Sequence, residues 1–399
     1  MRLYYLFLIL VVFFFVLQMN PGLASDTRIV SMGNANALIK DYYNIDIFPS
    51  TIVNYPNHLI IGFGGQPFYY EGYQPETDDR PFVGATIGIR KGHVFGVIVN
   101  GQREQLEYTP LTTNYQYDLF YGMEMSALNL GLRLHRASGI DKVSGYSEVD
   151  NANNYEQSVG IWGVTGSISM NVQDTGTLEA AITYKNIGFT NERGNEKITE
   201  PEGCNALTVE SRLFYPFNLK TDFIPYFRFQ TMGLGRKVYQ NNERAYTETE
   251  SDNEIMLGLG LNHRPKENML FIGGLAFVRF DATYKLEPRE ADKTEEKSGA
   301  TFFPMAHFGF ETQLKSWLSF RGGFQKLVGS EYEESKDDQD TIKKKLSSSP
   351  FGFSVGLGFK IQDLILDVTL DRDYLKRGPY ILGGSSGRMF PRASATYVF

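Results

Sequence analysis

Apolar and polar residues alternate with a period of two along most of this chain. Between Leu128 and His135 the leucines at 128, 130, 132 and 134 fall on one side, and Asn129, Gly131, Arg133 and His135 on the other. From Phe351 to Ile361 a Phe, Val, Leu and Ile face opposes Gly352, Ser354, Gly356, Gly358 and Lys360. Such a rhythm predicts strands with one apolar and one polar face. Sixteen can be marked, beginning with His58–Gly64, Phe82–Lys91, Val94–Gly101, Tyr117–Ala127, Leu128–Ala137 and Glu156–Met170. Leu178–Thr190, Ala206–Pro216, Asp222–Arg236, Asn253–His263 and Asn268–Leu286 follow. Ala300–Gln313, Ser316–Val328, Phe351–Ile361, Asp363–Asp373 and Pro391–Phe399 complete the set.

The connections alternate too. Tight ones lie near Gly92, Ser126–Asn129, Asn171–Thr177, Phe217–Lys220, Arg264–Glu267, Leu314–Lys315 and Gln362. Between them come long polar segments at 65–80, 102–116, 138–155, 191–205, 237–252, 287–299, 329–349 and 374–390. Short turns at one rim and long loops at the other mark an up-and-down barrel in an outer membrane. A Greek-key sandwich has no reason to alternate in this way. An even strand count lets the first and last strands pair, and lipid cannot satisfy an open sheet edge.

The polar face decides which side is inside. Glu124, Arg133, His135, Lys185, Glu210, Arg212, Arg228, His307, Glu311, Arg321, Asp367 and Asp371 sit opposite apolar stripes and are the predicted lumen-lining residues. A sixteen-stranded interior is too wide for side chains alone to fill, so the apolar face belongs outside, against lipid. The predicted fold is all-β: a transmembrane antiparallel up-and-down β-barrel of about 16 strands, 14 being possible, with an N-terminal plug-like segment.

Composition agrees with this. Aromatics are 14% of the chain and glycines number forty, which suits bending sheets with aromatic girdles. Arg2, an apolar run from Leu3 to Leu17 and Gly22-Leu23-Ala24 have the layout of a secretory signal peptide, residues 1–24. The fifteen-residue run is too short to span a bilayer as a helix. Without those residues the net charge moves from −7 to −8, and no basic stripe offers itself to nucleic acid. Cys204 is the only cysteine, so no internal disulfide forms, and its polar context reads as a loop without a role.

The last strand places Ala393, Ala395, Tyr397 and Phe399 on one side. A terminal Phe with an aromatic two residues earlier resembles the C-terminal signal of bacterial outer-membrane barrels, which implies the barrel-assembly machinery as a partner. Residues 25–57 do not alternate. Their Arg28, Met32, Gly33, Asn34, Ala35, Ala37, Asp41 and Pro49 resemble the N-terminal stretch of the FadL-type long-chain fatty-acid transporters and their secretion-system relatives. Phe48-Pro49-Ser50 stands where that family has Asn-Pro-Ala. The resemblance covers about thirty residues. It implies a hatch folded into the lumen and a sideways exit for hydrophobic ligands; a periplasmic tail or a small rim element are the alternatives.

Little points to catalysis or cofactors. His58, His93, His135, His263 and His307 show no metal spacing. A Ser–His–acid site would have to use His135 or His307, which read better as lining residues. The acid-rich run Glu331–Asp340 reads as a solvated external loop, and Gly383–Gly387 as a flexible loop rather than a phosphate cradle. Asp363, Asp367, Asp371 and Asp373 could face Arg133, Arg212, Arg228 and Arg321 as a transverse field or as bracing ion pairs. The sequence thus describes a signal peptide (1–24), a periplasmic or plug segment (25–57) and a barrel (58–399). Its first functional reading is passive passage of small solutes through the outer membrane, with lipid, solute and the assembly machinery as partners. A route for hydrophobic compounds would instead need an apolar pocket under the hatch, supplied by Phe227, Phe229 and Phe303 if they face inward. The other reading is a non-transporting envelope scaffold or secretion component; an enzyme is a distant third.

Overall fold

The computed structural model describes residues 23–24, 27–64, 82–99, 113, 115–143, 155–172, 176–193, 196–240, 243–289, 293–336, 341–370 and 392–399. Residues 1–22 of the expected signal peptide lie outside these, as do Asp371, Asp373 and Gly383–Gly387. Leu23 and Ala24 pair with Gly64 and Phe63.

Sixteen antiparallel wall strands close into a barrel. They are β1 His58–Gly64, β2 Phe82–Arg90, β3 His93–Val99, β4 Tyr115–Met125, β5 Leu128–Val143 and β6 Tyr155–Val172. Next come β7 Gly176–Arg193, β8 Asn205–Asn218, β9 Thr221–Gln240, β10 Glu243–His263 and β11 Met269–Pro288. The circle ends with β12 Thr294–Lys315, β13 Leu318–Lys336, β14 Phe351–Ile361, β15 Leu364–Leu370 and β16 Arg392–Val398. Closure is by β16 on β1, with Ala393 opposite Phe63 and Val398 opposite His58. No sheet edge is left for lipid to solvate.

The alternation puts Leu132, Leu134, Leu257, Leu259 and Leu261 on the exposed outer face. Aromatic rings pair there, between neighbouring strands and within the last one. Trp317 stacks on Phe359 at 6.4 Å, Tyr397 on Phe399 at 6.5 Å, and Phe324 lies between Phe308 and Phe351 at 5.4 and 5.9 Å. Trp162 carries Arg136 over its ring at 4.4 Å. Such rings suit the two water–lipid boundaries, where one edge is wet and the other dry.

Three of the polar segments expected as loops are largely strand. β9 to β13 are 19 to 22 residues long, about twice the 9–11 needed to cross a bilayer. Residues 243–252, 294–299 and 329–336 therefore continue the wall as polar ribbon, because ladder pairing does not require an apolar face once the strand has left lipid. The acid-rich run begins as strand, with Glu333 and Glu334 paired to Lys344 and Lys343. Asp363 corrects another expectation: it sits in the turn between β14 and β15, not on the inner face.

Two wall strands are broken. Glu196–Pro201 precedes β8 along the same line, and Cys204 fills the gap. Its sulfur accepts from Gly235 N at 3.2 Å and its carbonyl accepts from Ile187 N at 3.0 Å. Far from being a loop residue without a role, Cys204 is buried among Ala137, Ile161, Ile187 and Phe189. Thr341–Ser348 likewise precedes β14, and Pro350, which has no N–H to give the ladder, lies at that break.

Residues 27–54 lie inside, against the polar face of the wall. They form the helix α1 Thr27–Ser31 and three 3-10 turns, Asn36–Leu38, Tyr42–Asp46 and Pro49–Asn54. Asp41 caps the middle turn: its side chain accepts from Tyr43 N while Asn44 Oδ1 accepts from Asp41 N. Ile29, Met32, Leu38 and Ile39 pack on Ile224, Tyr226, Ile272 and Met305; Ile45 and Ile52 pack on Ile60, Val94, Ile98 and Phe120.

Candidate functional site

Wall arginines hold this inner segment. Arg212, 3% exposed on β8, donates from Nε to Glu179 at 2.7 Å, from Nη1 to the Asn36 and Ile39 carbonyls at 2.8 and 2.9 Å, and from Nη2 to Asn44 at 2.9 Å. A rigid guanidinium fork can satisfy several carbonyls at once, which an ammonium cannot. Arg133 donates to Asp118 at 2.7 Å and to the Asp46 carbonyl at 2.8 Å, while His135 shares Asp118 at 2.8 Å. On the opposite wall an ion-pair chain runs from Asp41 through Arg28, at 2.7 Å, to Glu311, at 2.9 Å, and on through Arg321 to Asp367. Of the two charged rows, Arg321 meets Asp367 as a bracing pair, Arg133 and Arg212 pair instead with Asp118 and Glu179, and Asp371 and Asp373 lie outside the described residues.

Backbone contact is equally close. A Cβ on Gly131 would lie 1.9 Å from Ser50 N, and Ser50 N itself donates to Ser167 Oγ at 2.6 Å. Gly33 has φ +82° and would carry a Cβ 2.9 Å from the Phe308 carbonyl and Phe324 N. Among the residues expected in the N-terminal segment, Arg28 and Asp41 make ion pairs, Met32 lies on the wall glycines Gly309 and Gly323, and Pro49 lies on Gly131. Asn34, at φ 60°, faces a cavity.

That cavity, about 330 Å³, is lined by Asn34–Leu38 and Phe48 of the segment and by Tyr226, Met256 and Met305 of the wall, beside the places where Leu38 packs on it. Glu210, Arg228, His307 and Gln325 give it a polar flank. Arg228 sits between Glu210 at 3.3 Å and Glu254 at 3.5 Å, and Gln325 meets His307 at 3.2 Å. Lys185 is half-buried on β7 beside Ala206. Glu124 is exposed at the short-turn rim over Gly92, remote from the cavity. Asp371 lies outside the described residues.

Above, a wider space of about 580 Å³ is lined by Arg236, Glu248, Glu250, Tyr284 and Glu296 on the tall strands. Outside the wall, a third hollow of about 630 Å³ is lined by Leu213, Pro225, Phe227, Leu257, Leu275 and Phe303. Phe227 and Phe303 thus line the outer hollow, and Phe229, with the same strand parity as Phe227, also faces away from the lumen. Phe303 is turned out by a bulge in β12, where one extra residue enters between Phe302 and Met305. The inner cavity and outer hollow share Ser211, Arg212, Tyr226 and Phe227.

Asp118, Glu179 and Asn262 are contacts the sequence reading passed over. Asp118 has the strand parity of Glu124, and Glu179 that of Lys185, so the alternation already held the signal. Asn262 donates to the Leu38 carbonyl at 2.7 Å.

Among the described residues no group of three or more His, Cys, Asp or Glu is placed to hold a metal ion. No protein-family profile and no curated protein sequence matches the chain. The fold is a closed antiparallel β-barrel of sixteen strands. Solved structures with a similar outline include the CymD monoaromatic hydrocarbon channel, at 8% identity over 95% of this chain and 98% of that one, TM-score 0.40. The open form of the ferric-catecholate import receptor Fiu from E. coli K12 matches at 8% identity over 86% and 81%, TM-score 0.37. The alcaligin receptor FauA from Bordetella pertussis matches at 8% over 78% and 60%, TM-score 0.44. No residue role or ligand is carried across at such distances.

Proposed function

We propose that this chain is an outer-membrane transporter for small solutes, whose inner segment plugs most of the lumen and leaves one side passage. The cavity between Asn34–Leu38 and the wall at Tyr226, Met256 and Met305 supports this reading above all. On this reading a solute would enter from the tall-strand mouth and pass beside the segment through this cavity. The lumen-lining roles given to Arg228, Glu210, His307 and Lys185 belong to this proposal, as does assembly through the Tyr397–Phe399 strand. The sideways exit implied by the FadL-type resemblance would cross the wall at Tyr226, which borders both the cavity and the outer hollow.

Planar-bilayer conductance of the refolded chain, with and without residues 25–57, tests the proposal. Small conductance in the whole chain and a large pore on deletion are expected. A Met305→Trp chain, which narrows the passage but keeps every ion pair, guards against misfolding of the deletion. Zero conductance and zero solute uptake in all three would overturn transport and favour the scaffold.

A further inference from the structure

We infer that Arg136 and Trp162 form a docking point on the outer wall for a phosphorylated glycolipid of the outer leaflet, lipid A in class, with its phosphate on the guanidinium. The inference makes no use of the passage. It rests on the barrel spanning an outer membrane with its short turns inward.

Height along the strand comes first. Arg136 is the ninth residue of β5 and pairs with Trp162, as Leu128 at the short turn pairs with Met170. About 9–11 tilted residues cross a bilayer, so this pair stands one crossing from the short-turn rim. The outward residues agree. Below the pair lie Leu132, Leu134, Val164, Ile182 and Tyr184, all exposed and apolar or aromatic. Tyr117 and Asn186 stand at its height, and above it Ser138, Ser158 and Thr190 outnumber Ile140.

The guanidinium is held in place. A snorkelling arginine keeps its stem on the wall and its head in bulk water. Here the head lies over the Trp162 ring at 4.4 Å, and a Cβ on Gly160 would come within 3.0 Å of Nη1. Its backbone contact, from Nη1 to the Ile161 carbonyl, is long at 3.5 Å. Among the described residues no carboxylate answers it. Three outward cations on the tall side are answered within the wall: Arg279 by both oxygens of Asp281, Lys237 by Glu202 and Lys326 by the Ser349 carbonyl. Arg136 instead offers an uncancelled charge at the height where outer-leaflet phosphates lie. A planar fork steadied by a ring matches the paired oxygens of a phosphate, which a point charge does not. The acyl chains would run down the leucines, and Tyr117 and Asn186 would flank the sugar.

The test titrates the whole refolded chain in dodecyl maltoside with diphosphoryl lipid A, the same lipid without phosphates, and phosphatidylglycerol. Bound lipid is counted by native mass spectrometry. Diphosphoryl lipid A should bind about tenfold more tightly than either other probe. Arg136→Gln should bring it to within about threefold of the phosphate-free lipid, and Arg136→Lys should recover only part of the preference. Trp162→Leu keeps the guanidinium but removes its support; it should weaken lipid A and leave the phosphate-free lipid unchanged. Glu124→Gln, at the other rim, should match the parent, and the boiled-against-unboiled gel shift shows that each variant folds. Equal binding of the phosphorylated and phosphate-free lipids, or an Arg136→Gln chain that keeps the preference, would overturn the inference. Phosphatidylglycerol bound as tightly as lipid A would overturn it too, since the site would then read any lipid phosphate. None of these outcomes touches the transport reading, which conductance decides separately.

Discussion

The two flanks of the inner segment are built differently. On the flank facing β4 to β6, Pro49–Asn54 lies against the wall backbone at Gly131, and Ser50 N donates to the Ser167 hydroxyl. On the flank facing β9 to β12, Leu38 and Met32 reach the glycines Gly260, Gly274 and Gly309, and beside those contacts a cavity opens against Tyr226, Met256 and Met305. The first flank meets the wall without a gap, while the second leaves one beside its glycine contacts. A segment meant only to close the barrel would gain from sealing both. The transport reading proposed above takes the gap as its passage, and each experiment below disturbs one part of this arrangement.

Arg212→Ala should have the largest effect. It strands Glu179, 2% exposed, and frees two carbonyls and Asn44 on the inner segment. Breaking a buried pair in this way costs about 3–5 kcal/mol. Every tenfold change in a population corresponds to about 1.4 kcal/mol, so the unseated segment should become at least about a hundredfold more populated. Bilayer recordings should show large, flickering openings absent from the parent chain. Recordings that match the parent would mean the segment is held by its packing alone.

Gly131→Leu comes next and attacks the sealed flank. The side chain would enter the space of Ser50 and Pro49, so the Pro49–Asn54 turn must shift away from β5. Backbone amides of residues 50–54 should lose hydrogen-exchange protection while those of 27–33, held at the other wall by Arg28 and Glu311, keep theirs. Uniform loss would show that the two flanks are one cooperative unit.

Met305→Trp fills the open flank instead. It should cut solute uptake several-fold and shift the temperature of the heat-modified gel band little, since overpacking here has a cavity to expand into. Unchanged uptake would move the passage elsewhere.

The wall was legible because lipid on one side and water on the other force a two-residue period; all sixteen marked strands have a counterpart. The tall ribbons were not, because beyond the bilayer nothing selects apolar residues on alternate positions, and 243–252 reads as loop by composition alone. Arg133, Arg212 and Arg321 stood out as charges opposite leucines. What each one holds could not be read, since Asn36, Ile39 and Asp46 are reached through carbonyls that every residue carries. Asp118 and Glu179 shared the right parity and were passed over. An apolar pocket from Phe227, Phe229 and Phe303 required them to face inward; strand parity turns Phe229 out with Phe227, and a bulge that periodicity cannot foresee turns out Phe303.

The smallest effect concerns pH and the sealed flank. Burial pushes the Asp46 carboxyl up to about 6, with the Arg133 guanidinium opposing the shift. In the unfolded chain the group titrates near 3.9, about the ordinary aspartate value. A carboxyl whose folded value is raised stabilises the seated state below its unfolded value. That contribution declines from there and is lost as pH rises through about 6. The seat beside Arg133 should therefore be firmer at pH 4 than at pH 7.5, the reverse of an acid held by an ion pair. Asp46→Asn should remove the dependence while keeping the backbone carbonyl that Arg133 Nη1 binds. Exchange protection of residues 44–48, corrected for intrinsic rates at each pH, should converge with the parent at low pH and exceed it at pH 7.5. If the variant is less protected at both values, the charged carboxylate is holding the turn in place and the sealed flank depends on it.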